Sequence, residues 1–116
     1  MVEQHIYDLL PSTLPKYIGD LPANVPNAVA IVLFNGSENL LYFQFGSVFR
    51  PVIKIVVRNI SYEEAQQQVL TIKETLHKHS DEYFMSVFMQ GYPMYLGKDE
   101  QKLHEFQLVF NIQLKE

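Results

Sequence analysis

The run Ala28–Phe34, AVAIVLF, is apolar at every position and constrains the fold more than any other stretch of the sequence. A strand with one face in water alternates apolar and polar residues, whereas a strand covered on both faces can be apolar throughout. The run is far too short to span a bilayer. We therefore predict a strand inside a sheet, covered on both faces.

Four other stretches also have the composition of strands. Residues 52–58 place Ile53, Ile55 and Val57 on one face, and residues 104–114 alternate apolar and polar positions with only one apolar residue, Val109, in the outward set. The other two are apolar and aromatic on both parities, which suits a strand or, for the first, an ordered loop. In chain order the four stretches are 40–45, 52–58, 83–90 and 104–114.

Helices are predicted at two places. Residues 2–10 carry an apolar side and end at Pro11. Residues 61–64, SYEE, form a capping box, and one narrow apolar stripe follows at helical spacing. The stripe consists of Ala65, Val69, Ile72 and Leu76, which predicts a main helix over about 61–79. Between the first helix and Ala28, four of the six prolines mark an extended arm over 11–27 that lies against apolar surface.

The order of these elements predicts one α+β domain over residues 1–116. It consists of the N-terminal helix 2–10, the Pro-rich arm 11–27 and an α+β body over 28–116. In the body, a mixed or antiparallel sheet of about four to five strands packs against the N-terminal helix and the main helix. One helical stripe cannot cover both faces of such apolar strands, so we expect part of their surface to meet another subunit.

Composition excludes several classes of protein. Hydrophobic residues make up 47% of the chain, which is too much for a disordered protein. Cysteine is absent, so disulfides, thiolate metal sites and thiol catalysis are excluded. The formal net charge of −4 argues against a general nucleic-acid binder. The N-terminus has no basic region typical of a secretion signal, and these features together fit a cytoplasmic protein without a membrane partner.

The segment HKHSDE brings His77, His79, Asp81 and Glu82 together and could suggest a metal site. Residues two apart on a helix point about 200° away from each other. The two histidines could therefore share an ion only if the helix ended earlier. We interpret the segment as a solvated helix end whose basic residues favour the C-terminal dipole.

No pattern of catalytic residues is found. Asp99 and Glu100 share a loop, but nothing in the sequence fixes their separation for acid and base chemistry. The serines lack a nucleophile elbow, and the scattered glycines form no phosphate-binding loop. We predict no catalytic residues, no metal and no cofactor.

A row of basic residues, Arg50, Lys54 and Arg58, projects from one face of a strand if that strand runs straight through Pro51. The row could be the solvated side of an edge strand, where charge discourages aggregation. It could also pair with Glu105 on a neighbouring strand, or contact an acidic partner or subunit.

Two aromatic segments lie between glycine and proline residues. The segment within 36–50 carries Leu41, Tyr42, Phe43 and Phe45. The segment within 91–100, GYPMYLGKDE, carries Tyr92, Met94 and Tyr95. Each set could be core, or could be an apolar excursion that contacts another subunit or a partner.

The order of these motifs resembles a known family. A short helix leads to the arm and first strand, LPKYIGDLPANVPNAVAI, and a strand ending in Arg-Asn precedes SYEEAQQQVLTIKETLH. GYPMYLGKDE and the closing strand HEFQLVFNIQL follow. In this order the chain resembles the minor capsid proteins of tailed phages and prophages, and is similar to tail terminator, or tail completion, proteins.

The resemblance implies a virion assembly protein and not a catalyst. Proteins of this kind form a ring, commonly of six subunits, on the end of a finished tail tube, where the ring stops tube growth and offers a surface for joining the head. The implied partners are further copies of the chain, the tail tube and head–tail connector proteins. The implied location is the virion, assembled in the cytoplasm of the bacterial host.

Other functions remain open from the sequence. A head-side connector would be a related assembly role. A small-ligand-binding domain or an enzyme predicts a deep pocket lined by Tyr83, Tyr92 or the histidines. A toxin or regulator is a third alternative, although the acidic charge disfavours a DNA-binding version.

Overall fold

The computed structural model describes residues 2–34 and 51–114, and all structural statements below concern these residues. They form two helices and six strands, which confirms the predicted α+β class. In chain order these are α1 (Val2–Leu9), β1 (Lys16–Ile18), β2 (Ala28–Phe34), β3 (Val52–Asn59), α2 (Tyr62–Leu76), β4 (Phe84–Met89), β5 (Met94–Lys98) and β6 (His104–Leu114).

The six strands form one mixed sheet in the order β1-β2-β3-β6-β4, with β5 also paired to β6. Only β1 and β2 run parallel, and the other neighbours are antiparallel. The outer side of β6 accommodates two strands end to end because β6 is 11 residues long. β4 pairs with its C-terminal half and β5 with its N-terminal half.

Two strands were not predicted, which explains why the sheet exceeds the expected four to five strands. β1 lies within the arm 11–27, and β5 lies within the predicted loop 91–100. The main helix ends at Leu76 and not at about 79. The predicted strand or loop over 40–45 lies outside the described residues.

The core lies between one face of the sheet and both helices. Cross-strand rows of apolar residues, such as Ile31–Ile55–Leu108, cover this face, and α1 places Ile6 against it. The predicted stripe of α2 is confirmed as the buried side of that helix. Burying one such side chain stabilises a fold by about 2 kcal/mol, so the apolar periodicities account for the layered packing.

The start of α2 depends on two side chains. Ser61 Oγ accepts a hydrogen bond from the Glu64 backbone N–H at 3.2 Å, which is one half of the predicted capping box. The Ser61 N–H donates instead to Asn59 Oδ1 at 2.8 Å. Asn59 is fully buried, and its amide also donates to Gln68 Oε1. Asn59, a buried residue at the end of β3, thus supplies the second part of the cap by accepting the hydrogen bond from the Ser61 N–H.

The opposite face of the sheet is covered only in part by described residues. Ala28 and Ala30 are buried there, whereas Val56 and Val109 are half-buried. Both helices pack on the other face. That another subunit meets this second face therefore stays a prediction.

Candidate assembly surface

β5 exposes a run of large apolar side chains at one edge of the sheet. Every residue of β5 except Gly97 is exposed, and Tyr92, just before the strand, is 87% exposed. The residues after Tyr95 shift register against β6, and Gly97 has a φ of 94°, a conformation that favours glycine. The strand is therefore a bulged edge strand whose apolar side chains face solvent.

An aromatic cluster supports the helix side of β5. The N-cap of α2 makes Tyr62 the first helical residue, and its ring meets the Tyr95 ring edge-to-face at 5.2 Å. Tyr95 also packs against Phe106 at 4.9 Å, and its hydroxyl lies 2.8 Å from His104 Nδ1. Exposed aromatic rings held in place by packing and a hydrogen bond are suited to protein–protein contact.

The outer edge of β4 is closed by the segment that follows α2. His79 forms an antiparallel bridge with Val87, and Val87 N–H donates to the His79 carbonyl at 3.1 Å. The Met89 N–H donates to the Nδ1 atom of His77 at 3.0 Å. An edge strand with unpaired backbone groups invites association. Within residues 2–34 and 51–114, this closure leaves β5 as the open edge on this side of the sheet.

The predicted solvated helix end is wrong for the two histidines. The helix ends at Leu76, and His77 and His79 pack against β4, whereas Lys78 between them is exposed. The ring of His77 meets Phe88 edge-to-face at 5.5 Å. His79 Nε2 lies 2.7 Å from Asp81 Oδ2. Hydrogen bonds from the Phe84 backbone N–H, then from His79 and from the Tyr83 N–H, lower the pKa of Asp81 from 3.8 to about 2.

Within residues 2–34 and 51–114, no group of three His, Cys, Asp or Glu residues is arranged to hold a metal ion. The two histidines of HKHSDE serve different contacts along β4. His77 binds a strand N–H, and His79 pairs with Asp81.

Arg58 is held inside the subunit by three groups. Its Nε lies 3.1 Å from Glu105 Oε2 and 3.6 Å from Asp99 Oδ2, and its Nη1 donates to the Pro22 carbonyl at 2.9 Å. The Arg58 side chain is only 14% exposed. The predicted pairing with Glu105 is confirmed, and the solvated-edge interpretation is wrong because β3 lies between β2 and β6. This guanidinium ties the arm to two strands.

The remaining predicted contact residues fall into three groups. Lys54 is half-buried on the second face of β3, opposite Val32 and Val109. Five lie outside the described residues, namely Leu41, Tyr42, Phe43, Phe45 and Arg50. For Tyr92, Met94 and Tyr95, the structure places all three at the surface, and their role in a contact stays a proposal.

A pocket lies beside the Arg58 ion pairs. It is lined by Ala23, Arg58, Asp99, Glu100 and Gln101. Its lining includes neither Tyr83, Tyr92 nor a histidine, the residues that a ligand-binding function predicted. Asp99 and Glu105 both face one guanidinium, so they act as its counter-charges.

Sequence reasoning missed several exposed apolar residues, among them Tyr17 and Ile18 on β1, Leu96 on β5 and Tyr62 at the start of α2. Tyr62 could have been found, because it lies outside the apolar stripe of α2, and residues outside such a stripe face solvent. Tyr17, Ile18 and Leu96 could not, since their exposure depends on which strands lie at the edges.

None of the helices in the described parts of the chain is long and apolar enough to cross a membrane. A family model described as bacteriophage tail terminator protein matches residues 4–116. The match covers nearly the whole chain and confirms the resemblance drawn from the order of the motifs. No curated protein matches the sequence.

Among solved structures, the chain is similar to a chain from the virion of a native gene transfer agent particle. The sequence identity is 12%, the TM-score is 0.63, and the match covers 96% of this chain and 92% of that chain. At this identity the likeness shows a shared fold.

Proposed function

We propose, because the chain belongs to the bacteriophage tail terminator protein family, that its copies form a closed ring on the end of the tail tube. Membership of this family makes the chain a structural protein of the virion that acts in completing the tail. The ring is proposed to have about six subunits, to stop growth of the tube and to offer a surface for joining the head. It would assemble in the cytoplasm of the bacterial host.

The exposed apolar run on β5 is the observation that carries the ring. Tyr92, Met94 and Leu96 are 87%, 58% and 46% exposed, and together they place an apolar patch at this edge of the sheet. Such a patch on a small domain usually marks a contact with another protein. A head-to-tail contact that uses different surfaces on the two copies generates a ring when its rotation closes.

Other segments are proposed to contribute to these contacts. The 36–50 segment, with Leu41, Tyr42, Phe43 and Phe45, is proposed from its sequence pattern alone to reach a neighbour or the tail tube. Arg50 and Lys54 would set the register of a contact more than its strength. The net charge of −4 also suits a ring through which DNA passes without binding.

The first experiment measures the solution mass of the full chain by light scattering over a wide concentration range, with and without tubes of the cognate tail tube protein. A closed oligomer near six subunits, alone or on tube ends seen by electron microscopy, is the expected result. A chain that stays monomeric in both conditions and leaves tube length unchanged would contradict the proposal.

Leu96→Asp and Leu70→Asp form a matched pair for this assay. The two leucines are 46% and 47% exposed, but Leu96 is on β5 whereas Leu70 is on α2. Leu96→Asp should abolish assembly and Leu70→Asp should not, while both variants keep the melting temperature of the parent. Capture by portal-side proteins instead of tail tubes would assign the ring to the head side.

A further inference from the structure

The sheet has two free edges at opposite sides, one formed by β1 and one by β5. Among residues 2–34 and 51–114, no strand pairs with the outer side of either. We infer that β5 of one copy pairs with β1 of the next copy as antiparallel strands, so that the sheet continues from subunit to subunit. The inference rests on the proposed ring and names the two surfaces that would form its subunit contact.

The two edges lie at the same level of the sheet. Lys16 pairs with Val29, Val29 with Val57, Val57 with Phe106, and Phe106 with Tyr95. One cross-strand row thus runs from β1 to β5, and a second copy can continue it without a step. Strand directions along the row place β5 opposite in direction to β1, so the junction is antiparallel.

β5 directs the backbone groups of Tyr95 outward. Ile112 N–H bonds to Pro51 on the β3 side, whereas the carbonyl of Val109 accepts from Gln90 on the other side. Because the direction alternates along an antiparallel strand, odd-numbered residues of β6 bond toward β4 and β5. Gln107 therefore bonds to Met94, its partner in the register. The N–H and C=O of Tyr95 then point away from the sheet.

β1 offers a complementary set of groups. Val29 N–H bonds to the Pro15 carbonyl, and Gly19 N–H bonds to the Ile31 carbonyl. Odd-numbered residues of the β1 segment therefore face β2, and the Lys16 carbonyl and the Ile18 N–H face outward. The Lys16 N–H is already bonded to the Leu14 carbonyl at 2.9 Å.

Continuing the row places Tyr95 opposite Lys16 of the partner subunit. The Tyr95 N–H can donate to the carbonyl of that residue. Two residues along, the N–H of the partner's Ile18 can donate to the carbonyl of Pro93. Proline has no N–H, and the Lys16 N–H is occupied within its own subunit. Each N–H that the two strands direct into this junction therefore has a carbonyl to bond to.

The same register brings exposed side chains together on the second face. Met94 lies opposite Tyr17 of the partner subunit, and both are exposed in the single copy. On the helix face, Lys98 lies at the end of β5 nearest the C-terminus of the partner's α1, where Asp8 is exposed. Apolar contact on one face and opposite charges on the other both favour a second copy of this chain as the occupant.

Closure of β4 by residues 77–81 adds to the argument. On that side of the sheet, β5 is the strand to which a further strand can be added. On the other side, β1 has only three residues, so it can pair with only a short strand. A β5-to-β5 contact would be two-fold symmetric and would use up the free edge in a dimer. Pairing of unlike edges leaves each copy with one edge still to fill, as a ring requires.

Cysteine cross-linking tests the register directly, because the natural chain has no cysteine. The variant Met94→Cys with Tyr17→Cys is oxidised at concentrations where the parent chain assembles, with tail tubes present if assembly needs them. Directly opposite residues of a non-hydrogen-bonded antiparallel pair are about 4.5 Å apart between Cα atoms, within the range that a disulfide spans. Within one copy the two positions lie on opposite edges, so only intermolecular bonds can form.

The expected result is a ladder of covalent multimers that extends beyond the dimer, with the melting temperature of the reduced variant unchanged. The pair Met94→Cys with Ile18→Cys places its second cysteine on the other face and should give at least ten-fold less multimer. Ile18→Pro in the first background removes the outward N–H, besides replacing the side chain and fixing φ, and should reduce the ladder several-fold.

Three results would overturn the inference. A dimer from Met94→Cys alone, as abundant as the ladder, would show a β5-to-β5 contact. No ladder under conditions where the parent forms a ring by light scattering would show that the ring uses other surfaces, and the proposed function would stand. Loss of both the ladder and the ring, with tube length unaffected, would reject the proposed function as well.

Discussion

The Nδ1 atom of His77 accepts a hydrogen bond from the backbone N–H of Met89, across 3.0 Å. A side chain thereby occupies a position that a neighbouring strand would fill in a wider sheet. The bond requires Nδ1 to be unprotonated, since a protonated ring nitrogen cannot accept. His77, which follows α2, therefore adds one side-chain hydrogen bond to the backbone bridge between His79 and Val87 that closes the β4 edge.

Two replacements of His77 separate the contribution of its hydrogen-bond acceptor to stability from the contribution of its aromatic ring. His77→Phe keeps an aromatic ring against Phe88 but leaves the Met89 N–H without its acceptor, and we expect a loss of about 1 kcal/mol in the free energy of unfolding. His77→Asn keeps an acceptor near the position of Nδ1 and should lose less. Urea unfolding followed by circular dichroism measures both. Equal stability of His77→Phe and the parent would show that the bond contributes nothing.

Asp81 should make stability depend on pH in the acid range. Its folded pKa of about 2 lies below the unfolded value of 3.8, so its contribution is present above about pH 4 and is lost as pH falls toward 2. Asp81→Asn should destabilise the chain by about 1 kcal/mol at pH 7, a modest figure because the carboxylate is about a third exposed.

The difference between Asp81→Asn and the parent should shrink as the solution is acidified from pH 4 to pH 2. Urea midpoints measured at several pH values test this, with Glu82→Gln, an exposed neighbour, as the control. A difference that stays constant over this range would place the stabilising effect elsewhere than on the charged carboxylate.

Arg58→Met should destabilise the monomer by roughly 2 kcal/mol, because it leaves Glu105 and Asp99 without their cation in a half-buried position. Adding Glu105→Gln should recover part of the loss, since one uncompensated charge disappears. Thermal unfolding of the two single variants and the double variant measures the coupling. A variant of normal stability that fails to assemble would instead support a subunit contact for Arg58.

Tyr92→Asp should leave the fold intact and block assembly. The side chain is almost fully exposed, so its replacement removes little buried area within one copy. We expect an unchanged melting temperature together with loss of the high-mass species in light scattering. Tyr83→Asp, at a half-buried ring stacked 3.5 Å from His5, is the contrasting variant and should lower the melting temperature. Unfolding of Tyr92→Asp would mean that this residue belongs to the core.

Periodicity predicted most of the core but not the sheet edges. The alternation around Ile55 and Leu108, and the helical stripe through Val69, identify the buried side of each element. These patterns arise from local burial, which the sequence records directly. The two unpredicted strands are short and flanked by proline or glycine, and they are extended because a long neighbour offers backbone partners.

The candidate surface was predicted in part for the same reason. The sequence of 91–100 indicated an apolar excursion, and the exposure of Tyr92 and Met94 agrees with an excursion better than with core. The Arg58–Glu105 pair followed from parity on two strands, whereas Asp99 joins them only because the β5–β6 turn returns to that site. Contacts of this kind, between residues that are far apart in the chain, leave no local pattern in the sequence.

The length of β6 has a consequence for the order of events during synthesis. Both β4 and β5 pair with β6 within the described sheet, and both precede it in the chain. Neither can be fixed in place before the ribosome has made residues 104–114. A partly made chain therefore lacks an ordered β5. Under the proposed contact through β5, only a subunit whose β6 is in place could join a neighbour, and unfinished chains would be kept out of the particle without a separate checkpoint.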